Sequence, residues 1–491
     1  MNLSLERRKH LTLAATILGS SVAFIDATVV IVAMPTIERD FDIGLAGEQW
    51  IFLAYSLTLA SLYLVGGATG DRVGRRKTFT WGVVAFAAAS ALAGAAPNAA
   101  VLILARALQG VGGAFLTTNS LALLRATYED QAGRAIGLWT AWTSVATVAG
   151  PPAGGALVEW ASWRWIFFLN LPLAVATIVL ARLGTCDERG QLRAGHLDLP
   201  GSALAAVGFG SLTYGMVEGA DQSFGDVWWA FAVAAAALGS FVVVERRAKE
   251  PMLPFELFRR RNFAAANAET FLVYAGLYGV FVYFTLFVQF LGYTPFEAGL
   301  LNIPSTVVMV ALAARFGTLA DRYGPRWFLF GGPVVMALGA ILLATLGAKG
   351  DLWTRGIPGL IVFSVGVSAM VAPITATALK SAPPEYSGIA SGVNSTVSRL
   401  GSLIAVALIG LVIALVFHSH VDAPNAVPIG KNQRGAELRD ASRDAYRAGM
   451  GLAAFLLFAG AAVGGIAISN REARGEQPGP VSEQAPAPAE S

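Results

Sequence analysis

Apolar runs about 20 residues long recur along almost the whole chain, and they restrict the fold more than any other feature. A helix of that length crosses the roughly 30 Å hydrocarbon core of a bilayer, because an α-helix rises about 1.5 Å per residue. The composition agrees: 55% of the 491 residues are hydrophobic and only 14% are charged, whereas soluble domains carry about a quarter charged residues. We therefore expect an all-α polytopic membrane protein, surrounded by the lipid bilayer and without a nucleic-acid partner.

Fourteen of these runs are predicted to be transmembrane helices. They cover about 11–34, 49–69, 78–96, 100–124, 135–158, 165–182, 200–217, 228–244, 263–291, 296–319, 327–347, 357–379, 388–416 and 447–469. The first run follows the basic stretch LERRKH without a small-residue cleavage site, so we expect it to be retained. The segment 471–491 is rich in Pro, Ala and Glu, which predicts a disordered tail.

The distribution of basic residues predicts the orientation of the helices. Most of the 35 lysines and arginines fall in the loops that lie on the same side as the N-terminus when the predicted helices are threaded back and forth. Short cytoplasmic loops are enriched in Lys and Arg. We therefore predict that the N- and C-termini are both cytoplasmic.

An internal repeat predicts the domain plan. The stretch GATGDRVGRR begins at Gly67, and the related stretch GTLADRYGPR begins at Gly317, at an offset of 250 residues. The offset spans eight predicted helices, so two six-helix bundles must be separated by two extra helices. We predict an N-terminal bundle over 1–190, two inserted linker helices over 191–262, a C-terminal bundle over 263–470 and a cytoplasmic tail over 471–491. In transporters built from such parallel repeats, the substrate binds between the halves near the midplane.

The repeated loop itself combines a glycine turn with charged residues. The residues that we assign to a conformational latch are Gly67, Asp71, Arg72, Gly74 and Arg75 in the first copy and Asp321 and Arg322 in the second. Gly74 can adopt the positive φ that a tight turn needs. A plain positive-inside anchor would explain one such loop, but its repetition residue by residue favours a latch.

Two charged residues lie at membrane depth in the N-terminal half. Asp26, in SVAFIDATVVIVAMP, is about fifteen residues into the first helix and lies beyond the bilayer midplane. Arg106 shares a helix face with Gln109 and Gly110, and a basic residue at this depth costs about 3 kcal/mol to insert. We expect Asp26 to exchange a proton or bind a cation and Arg106 to be functional; a carboxyl that is permanently hydrogen-bonded for packing is the alternative.

The fifth predicted helix contains GPPAGG, with Gly150, Pro151, Gly154 and Gly155. Proline interrupts the backbone hydrogen bonds of a helix, and glycine lets another helix approach closely. The motif predicts either a static kink or a hinge at the contact between the two halves.

Polar residues in the ninth and thirteenth predicted helices suggest a binding pocket. Tyr274 and Tyr278 share one face of the ninth helix, and Asn394 lies in the thirteenth. Aromatic side chains with a few polar atoms suit a wide pocket for organic cations or amphiphiles. Glu269 is also a candidate for proton or substrate binding, although it lies near the inner end of its helix and could simply be hydrated. The four histidines and one cysteine form no pattern typical of a metal centre, so we expect neither metal nor cofactor.

These motifs together resemble the major facilitator superfamily, and within it the fourteen-helix drug:proton antiporters. Gly67 to Lys77 is similar to the signature between helices 2 and 3, and Arg106-x-x-Gln109-Gly110 is similar to that of helix 4. Gly137 with GPPAGG resembles the helix 5 signature of antiporters, and FIDATVVIVAMP that of helix 1 in the fourteen-helix branch. Two departures are visible: Ala146 stands where the helix 5 pattern has glycine, and Pro325 replaces a basic residue.

The resemblance implies a monomeric transporter in the inner (plasma) membrane that exports hydrophobic or cationic organic compounds by alternating access, in exchange for protons. It also implies that Asp26 and Arg106 act in proton coupling, that Asp71, Arg72 and Arg75 act as a latch, and that Gly150 and Pro151 form a hinge. The alternatives are a dedicated exporter of one endogenous metabolite or lipid, an uptake symporter, a membrane enzyme and a transport-inactive sensor. GPPAGG disfavours uptake, and no cluster of catalytic residues at membrane depth favours an enzyme.

Overall fold

A computed structural model describes residues 4–128, 132–184, 199–221, 224–248, 255–348, 350–383, 386–421, 426–430 and 435–470. Its helices are α1 Leu5–Phe41, α2 Leu45–Val73, α3 Arg75–Gly94, α4 Ala99–Tyr128, α5 Ala132–Trp160, α6 Trp165–Phe168, α7 Asn170–Gly184, α8 Leu199–Asp221, α9 Phe224–Arg247, α10 Arg261–Phe290, α11 Pro295–Leu300, α12 Asn302–Tyr323, α13 Arg326–Ala344, α14 Ile357–Lys380, α15 Ser387–His420 and α16 Ala436–Ala467. Short helical turns cover Phe255–Arg259 and Leu352–Gly356. The predicted disordered tail lies outside the described residues.

The all-helical class is confirmed, whereas the number of membrane spans is not settled at fourteen. Each of the fourteen predicted segments coincides with helix in the structure, α6 with α7 and α11 with α12 each matching a single prediction. Among the described residues, ten helices are long and apolar enough to cross a bilayer, and an eleventh is added if α2, which bends by 50°, counts as one span. Fourteen spans therefore remain a prediction.

The helices pack into two bundles. In the N-terminal bundle (α1–α7), α1 packs against α4, α5 and α7, and α4 packs against α2 and α3. In the C-terminal bundle (α10–α16), α16 packs against α10 and α13, and α14 packs against α12 and α13. Between them in the chain, α8 packs against its neighbour α9, against α2 and against α15. α8 therefore contacts both bundles.

Each copy of the repeated loop forms the turn that its glycine predicted. Gly74 has a φ of +107° and closes α2, its N–H donating to the carbonyl oxygen of Gly70 at 3.0 Å. Gly324 has a φ of +93° and closes α12, its N–H donating to the carbonyl oxygen of Ala320 at 2.9 Å. A residue with a Cβ rarely adopts such a φ, so glycine is the natural residue at both turns. These turns lie at the proximal end of the molecule, where α1 begins.

The two bundles are hydrogen-bonded to each other toward the opposite, distal end, where α1 ends and α2 begins. The Gln49 side chain on α2 donates to the Tyr283 hydroxyl on α10 at 2.8 Å. The Gln289 side chain on α10 donates to the carbonyl oxygen of Val32 on α1 at 3.1 Å. The backbone N–H of Phe296 donates to Glu159 at 3.3 Å. Within the described residues, no hydrogen bond joins the bundles at the proximal end.

Candidate functional site

Asp26 and Arg106, both predicted functional residues, form an ion pair inside the N-terminal bundle. The Arg106 side chain is fully buried and Asp26 is 2% exposed. Nη1 of Arg106 donates to Oδ2 of Asp26, which ties α4 to α1, and the same nitrogen donates to Oε1 of Gln109 at 2.9 Å. Asp26 and Arg106 therefore face the interior of the bundle.

Two further polar residues complete the network around the Asp26 carboxylate. Its Oδ1 accepts hydrogen bonds from Gln109 at 3.1 Å and from Asn170, on α7, at 2.9 Å. The Ser90 hydroxyl, on α3, accepts from Gln109 at 2.8 Å and from Asn170 at 3.3 Å. Sequence reasoning missed Ser90 and Asn170. The only available signal in the sequence was a polar residue, Asn170, at the end of the aromatic stretch WRWIFFLN.

The guanidinium of Arg106 has a second set of contacts on α2. Its Nε donates to the backbone carbonyl of Ile51 at 3.1 Å, and the group lies 4.5 Å from the ring centre of Tyr55. Its Nη2 has no hydrogen-bond partner within the described residues. A buried ion pair is stable only while both charges and their hydrogen bonds are present. Neutralising Asp26 would therefore leave the Arg106 guanidinium without its charged partner, so that it could donate to other acceptors.

The predicted hinge on α5 lies where three helices approach closely. A Cβ at Gly154 would come within 2.6 Å of the Val29 side chain on α1. A Cβ at Gly155 would come within 2.6 Å of the Phe296 backbone on α11, in the other bundle. Gly150 and Pro151 are buried on the same helix, with Gly150 against Thr28 and Pro151 against Gly299. Pro151 and Gly155 therefore contact the opposite bundle at the distal end, whereas Gly150 and Gly154 contact α1 of their own bundle.

The predicted latch residues stay within their own bundles in this structure. Arg75 donates twice to Asp71, at 3.0 and 3.1 Å, and Lys380 donates to Asp321 at 2.9 Å. Gly67 lies beside Thr118 on α4, and the Arg322 guanidinium lies 5.4 Å from the Tyr323 ring centre. Arg72 has no ion-pair partner within the described part of the chain. A latch across the two bundles remains a prediction.

Comparison with known proteins decides the family. The model of the Major Facilitator Superfamily matches residues 16–406. The chain belongs to this superfamily. The chain is 36% identical over 415 residues to the multidrug resistance protein Stp of Mycobacterium tuberculosis (strain CDC 1551 / Oshkosh), and the alignment covers 84% of this chain and 77% of that protein. It is 31% identical to the tetracenomycin C resistance and export protein of Streptomyces glaucescens (82% and 76% covered) and 32% identical to the puromycin resistance protein pur8 of Streptomyces alboniger (82% of each).

Solved structures support the same fold. A bacterial homologue of the human lysosomal transporter Spinster, in an inward-facing and unoccupied conformation, matches with a TM-score of 0.67 and 18% identity, covering 97% of this chain and 100% of that one. A D-xylose–proton symporter matches with a TM-score of 0.62 and 14% identity, covering 94% of this chain and 98% of that one. As a member of the superfamily, the chain is a transporter rather than an enzyme, and a multi-pass protein of the inner membrane.

The predicted candidate Glu269, in the C-terminal bundle, is also a buried acid. Its side chain is fully buried, and neither carboxyl oxygen has a hydrogen-bond partner within the described residues. A Cβ at Gly464 on α16 would lie 2.7 Å from its Oε2 and 2.6 Å from the carbonyl oxygen of Leu329 on α13. The structure therefore does not place Glu269 beside Asp26, and the idea that it is merely hydrated at the inner end of α10 is wrong.

The predicted pocket residues separate into two groups. The Asn394 side chain donates to Thr270 at 2.9 Å and joins α15 to α10, so it is engaged within its own bundle. Tyr274 and Tyr278 are half-buried, and both interact electrostatically with Arg399 on α15. The Arg399 guanidinium lies 4.8 Å from the ring centre of Tyr63, on α2 of the other bundle. We call Tyr63, Tyr274, Tyr278 and Arg399 the interhalf cluster, because it joins both bundles.

Proposed function

We propose that the protein exports hydrophobic organic compounds, drugs among them, across the inner membrane in exchange for protons. Its relatives are named as drug resistance proteins, and one of them as an export protein. The observation that carries the proton part is the ion pair of Asp26 and Arg106, which is buried at membrane depth among uncharged hydrogen-bond partners. A carboxylate placed there can bind a proton only by giving up its pairing with the arginine.

Asp26 serves as the proton-binding residue in this proposal. When it is ionised, Arg106, Gln109 and Asn170 all donate to it. When it takes up a proton, the attraction to Arg106 falls, and the guanidinium is free to move relative to Tyr55 on α2. Protonation thereby changes the contact between α4 and α2, which is the step that links the proton to the position of the bundles. Glu269 is proposed as a second proton-binding group, since its carboxyl oxygens accept no hydrogen bond that would favour ionisation.

Alternating access follows from the contacts between the bundles. With the proximal end in the cytoplasm, as the basic loops predict, the bonds of Gln49 and Gln289 to the opposite bundle close the outer side. The hinge residues Gly150, Pro151, Gly154 and Gly155 allow α5 to rock against α1 and α11. The loops of Asp71 and Asp321 form the cytoplasmic latch when the inner side closes. The protein works as a monomer with fourteen spans.

Substrate-induced proton release from the purified protein tests the proposal. We expect wild-type protein in weakly buffered solution to release protons when a transported drug is added, and Asp26→Asn to release none from this site. Asp440→Asn is the control, because Asp440 is an exposed acid paired with Arg443 on α16. The proposal is wrong if Asp26→Asn releases protons and exports drugs as the wild type does.

A further inference from the structure

Arg399 is a charged residue at membrane depth that has no counter-ion among the residues described by the structure. It is the thirteenth residue of α15, about 18 Å from the start of that helix at about 1.5 Å per residue. Within the described residues, its guanidinium forms no ion pair and no hydrogen bond. Arg106, another arginine at membrane depth, is neutralised by Asp26. Arg399 therefore leaves a net positive charge between the two bundles.

The side chains around Arg399 are aromatic and have free polar ends. The ring centre of Tyr63 lies 4.8 Å from the guanidinium. Tyr274 and Tyr278 interact electrostatically with the same group. A ring face stabilises a guanidinium but does not cancel its charge. Within the part of the chain that the structure describes, the hydroxyls of these three tyrosines make no hydrogen bond, and each tyrosine is only half-buried. They remain available to a ligand.

A neighbouring hydroxyl group also lacks a partner. Thr396 precedes Arg399 by three residues and so lies on the same face of α15. Its Oγ1 is buried and has no hydrogen-bond partner among the described residues, although other threonines of these helices donate to the carbonyl four residues earlier, as Thr377 does to Pro373. Buried polar groups are nearly always hydrogen-bonded, so an orphan hydroxyl beside an unpaired arginine points to an acceptor that arrives from outside.

We infer that the interhalf cluster, together with Thr396, binds the acidic group of an aromatic substrate. The guanidinium and the hydroxyls supply donors for a carboxylate, phenolate or sulfonate, while Tyr63, Tyr274 and Tyr278 supply ring faces for the rest of the molecule. A cation would meet a like charge at Arg399, which costs binding free energy rather than contributing to it. This inference rests on the proposed export function and narrows its substrates to organic anions, in place of the cations that the sequence also suggested.

Three ligands with one ring system and different charges test the inference. Naphthalene-2-sulfonate, naphthalene-2-sulfonamide and 2-naphthyltrimethylammonium are titrated calorimetrically into the full-length protein in detergent at neutral pH. We expect the sulfonate to bind at least about tenfold more tightly than the cation, since a hydrogen bond to a charged group contributes more than a neutral one. Tighter binding of the cation overturns the inference, and this comparison needs no variant to fold.

Variants then assign the preference to one residue. Arg399→Gln should weaken binding of the sulfonate at least about tenfold and change binding of the sulfonamide less than about twofold. Arg399→Lys should retain part of the preference, and Arg443→Gln, on α16, should retain all of it. Equal sulfonate affinity in Arg399→Gln overturns the assignment. If chloride or inorganic phosphate binds as tightly as the sulfonate, the site is a site for small inorganic anions, and the inference that it binds an aromatic organic anion is wrong.

Transport in proteoliposomes separates this inference from the proposed function. If the sulfonate binds through Arg399 but a proton gradient drives none of the three compounds or a panel of drugs, export fails while the anion site stands. If the gradient drives the sulfonamide or the cation and the sulfonate neither binds nor moves, the anion site fails while proton-coupled export stands.

Discussion

In the N-terminal bundle, Asp26 and Arg106 are buried together, and the carboxylate accepts hydrogen bonds from Gln109 and Asn170 as well. In the C-terminal bundle, Glu269 and Arg399 are also at membrane depth, yet neither has a charged partner within the described residues. An uncompensated charge in a membrane is costly, and such residues are usually functional. The difference suggests that the two bundles have different roles. The N-terminal bundle holds an internal ion pair that a proton can break, and the C-terminal bundle holds charged groups that bind a ligand or a proton.

The comparison can be broken most directly by removing one arginine from each bundle. Arg106→Met leaves Asp26 buried without its cation, and we expect a loss of about 3–5 kcal/mol of stability. The double variant Asp26→Asn with Arg106→Met should recover most of that loss. Arg399→Met removes a cation that has no counter-ion among the described residues and loses only the contact with the Tyr63 ring, so it should cost less than about 1 kcal/mol. Thermal unfolding in detergent, followed by tryptophan fluorescence, measures all three.

An Arg399→Met variant as unstable as Arg106→Met would mean that Arg399 also has an internal partner, and the contrast between the bundles would fail. Failure of the double variant to recover stability would mean that the Asp26–Arg106 pair is not the reason for the loss. Arg443→Met provides the surface control, because its pair with Asp440 is exposed and such pairs contribute only about 0–1 kcal/mol.

The contact between the bundles offers the next largest effect. Gly155→Ala would place a Cβ 2.6 Å from the Phe296 backbone, which cannot turn away as a side chain could. Overpacking costs about 1–3 kcal/mol, and here it acts only on the arrangement in which the distal ends are closed. That arrangement should lose about 5–150-fold in population. Gly137→Ala is the matched control on α5, since nothing lies within 4 Å of its Cβ position.

Spin labels on Asp42 and Leu300, which are exposed at the distal ends of the two bundles, report the change as a longer distance. The single native cysteine, Cys186, must be replaced first. An unchanged distance distribution in Gly155→Ala would show that the close contact of Gly155 with α11 does not control the separation of the distal ends. The assignment of GPPAGG as a hinge would then be wrong.

A smaller effect of opposite sign is expected at Glu269. Its carboxyl oxygens are buried without hydrogen bonds in the described residues, and leaving such a group unsatisfied costs about 1–3 kcal/mol. Glu269→Met, which is apolar and of similar length, should therefore raise the unfolding temperature, and Glu269→Gln should raise it less. In the other bundle, Asp26→Leu should lower the unfolding temperature, because it leaves Arg106 buried without its carboxylate partner. A lower unfolding temperature for Glu269→Met would contradict the absence of a partner.

The features that could be predicted from the sequence were those that depend on long apolar runs and on local motifs. Every predicted helix is helical in the structure, and Asp26 and Arg106 were recognisable because a charge in an apolar run is expensive. Ser90 and Asn170 were not recognisable, since serine and asparagine in membrane helices commonly bond to their own backbone. Arg399 was not singled out from the sequence either. Its position opposite Tyr63 depends on how two distant helices are rotated, which no local pattern records.

The two copies of the glycine loop give the smallest expected effect and the finest test of symmetry between the bundles. Asp71 pairs with Arg75 one helical turn away across Gly74, whereas Asp321 reaches Lys380 on a separate helix, α14. The Asp321–Lys380 pair is exposed and the Asp71–Arg75 pair is only partly buried. Asp71→Asn and Asp321→Asn should therefore each change stability by less than about 1 kcal/mol, and added salt should reduce even that. If either loop is a latch, its variant should nevertheless slow transport severalfold in proteoliposomes while its unfolding temperature stays near that of the wild type. Equal transport by both variants would leave the repeated loop with no role beyond a charged turn.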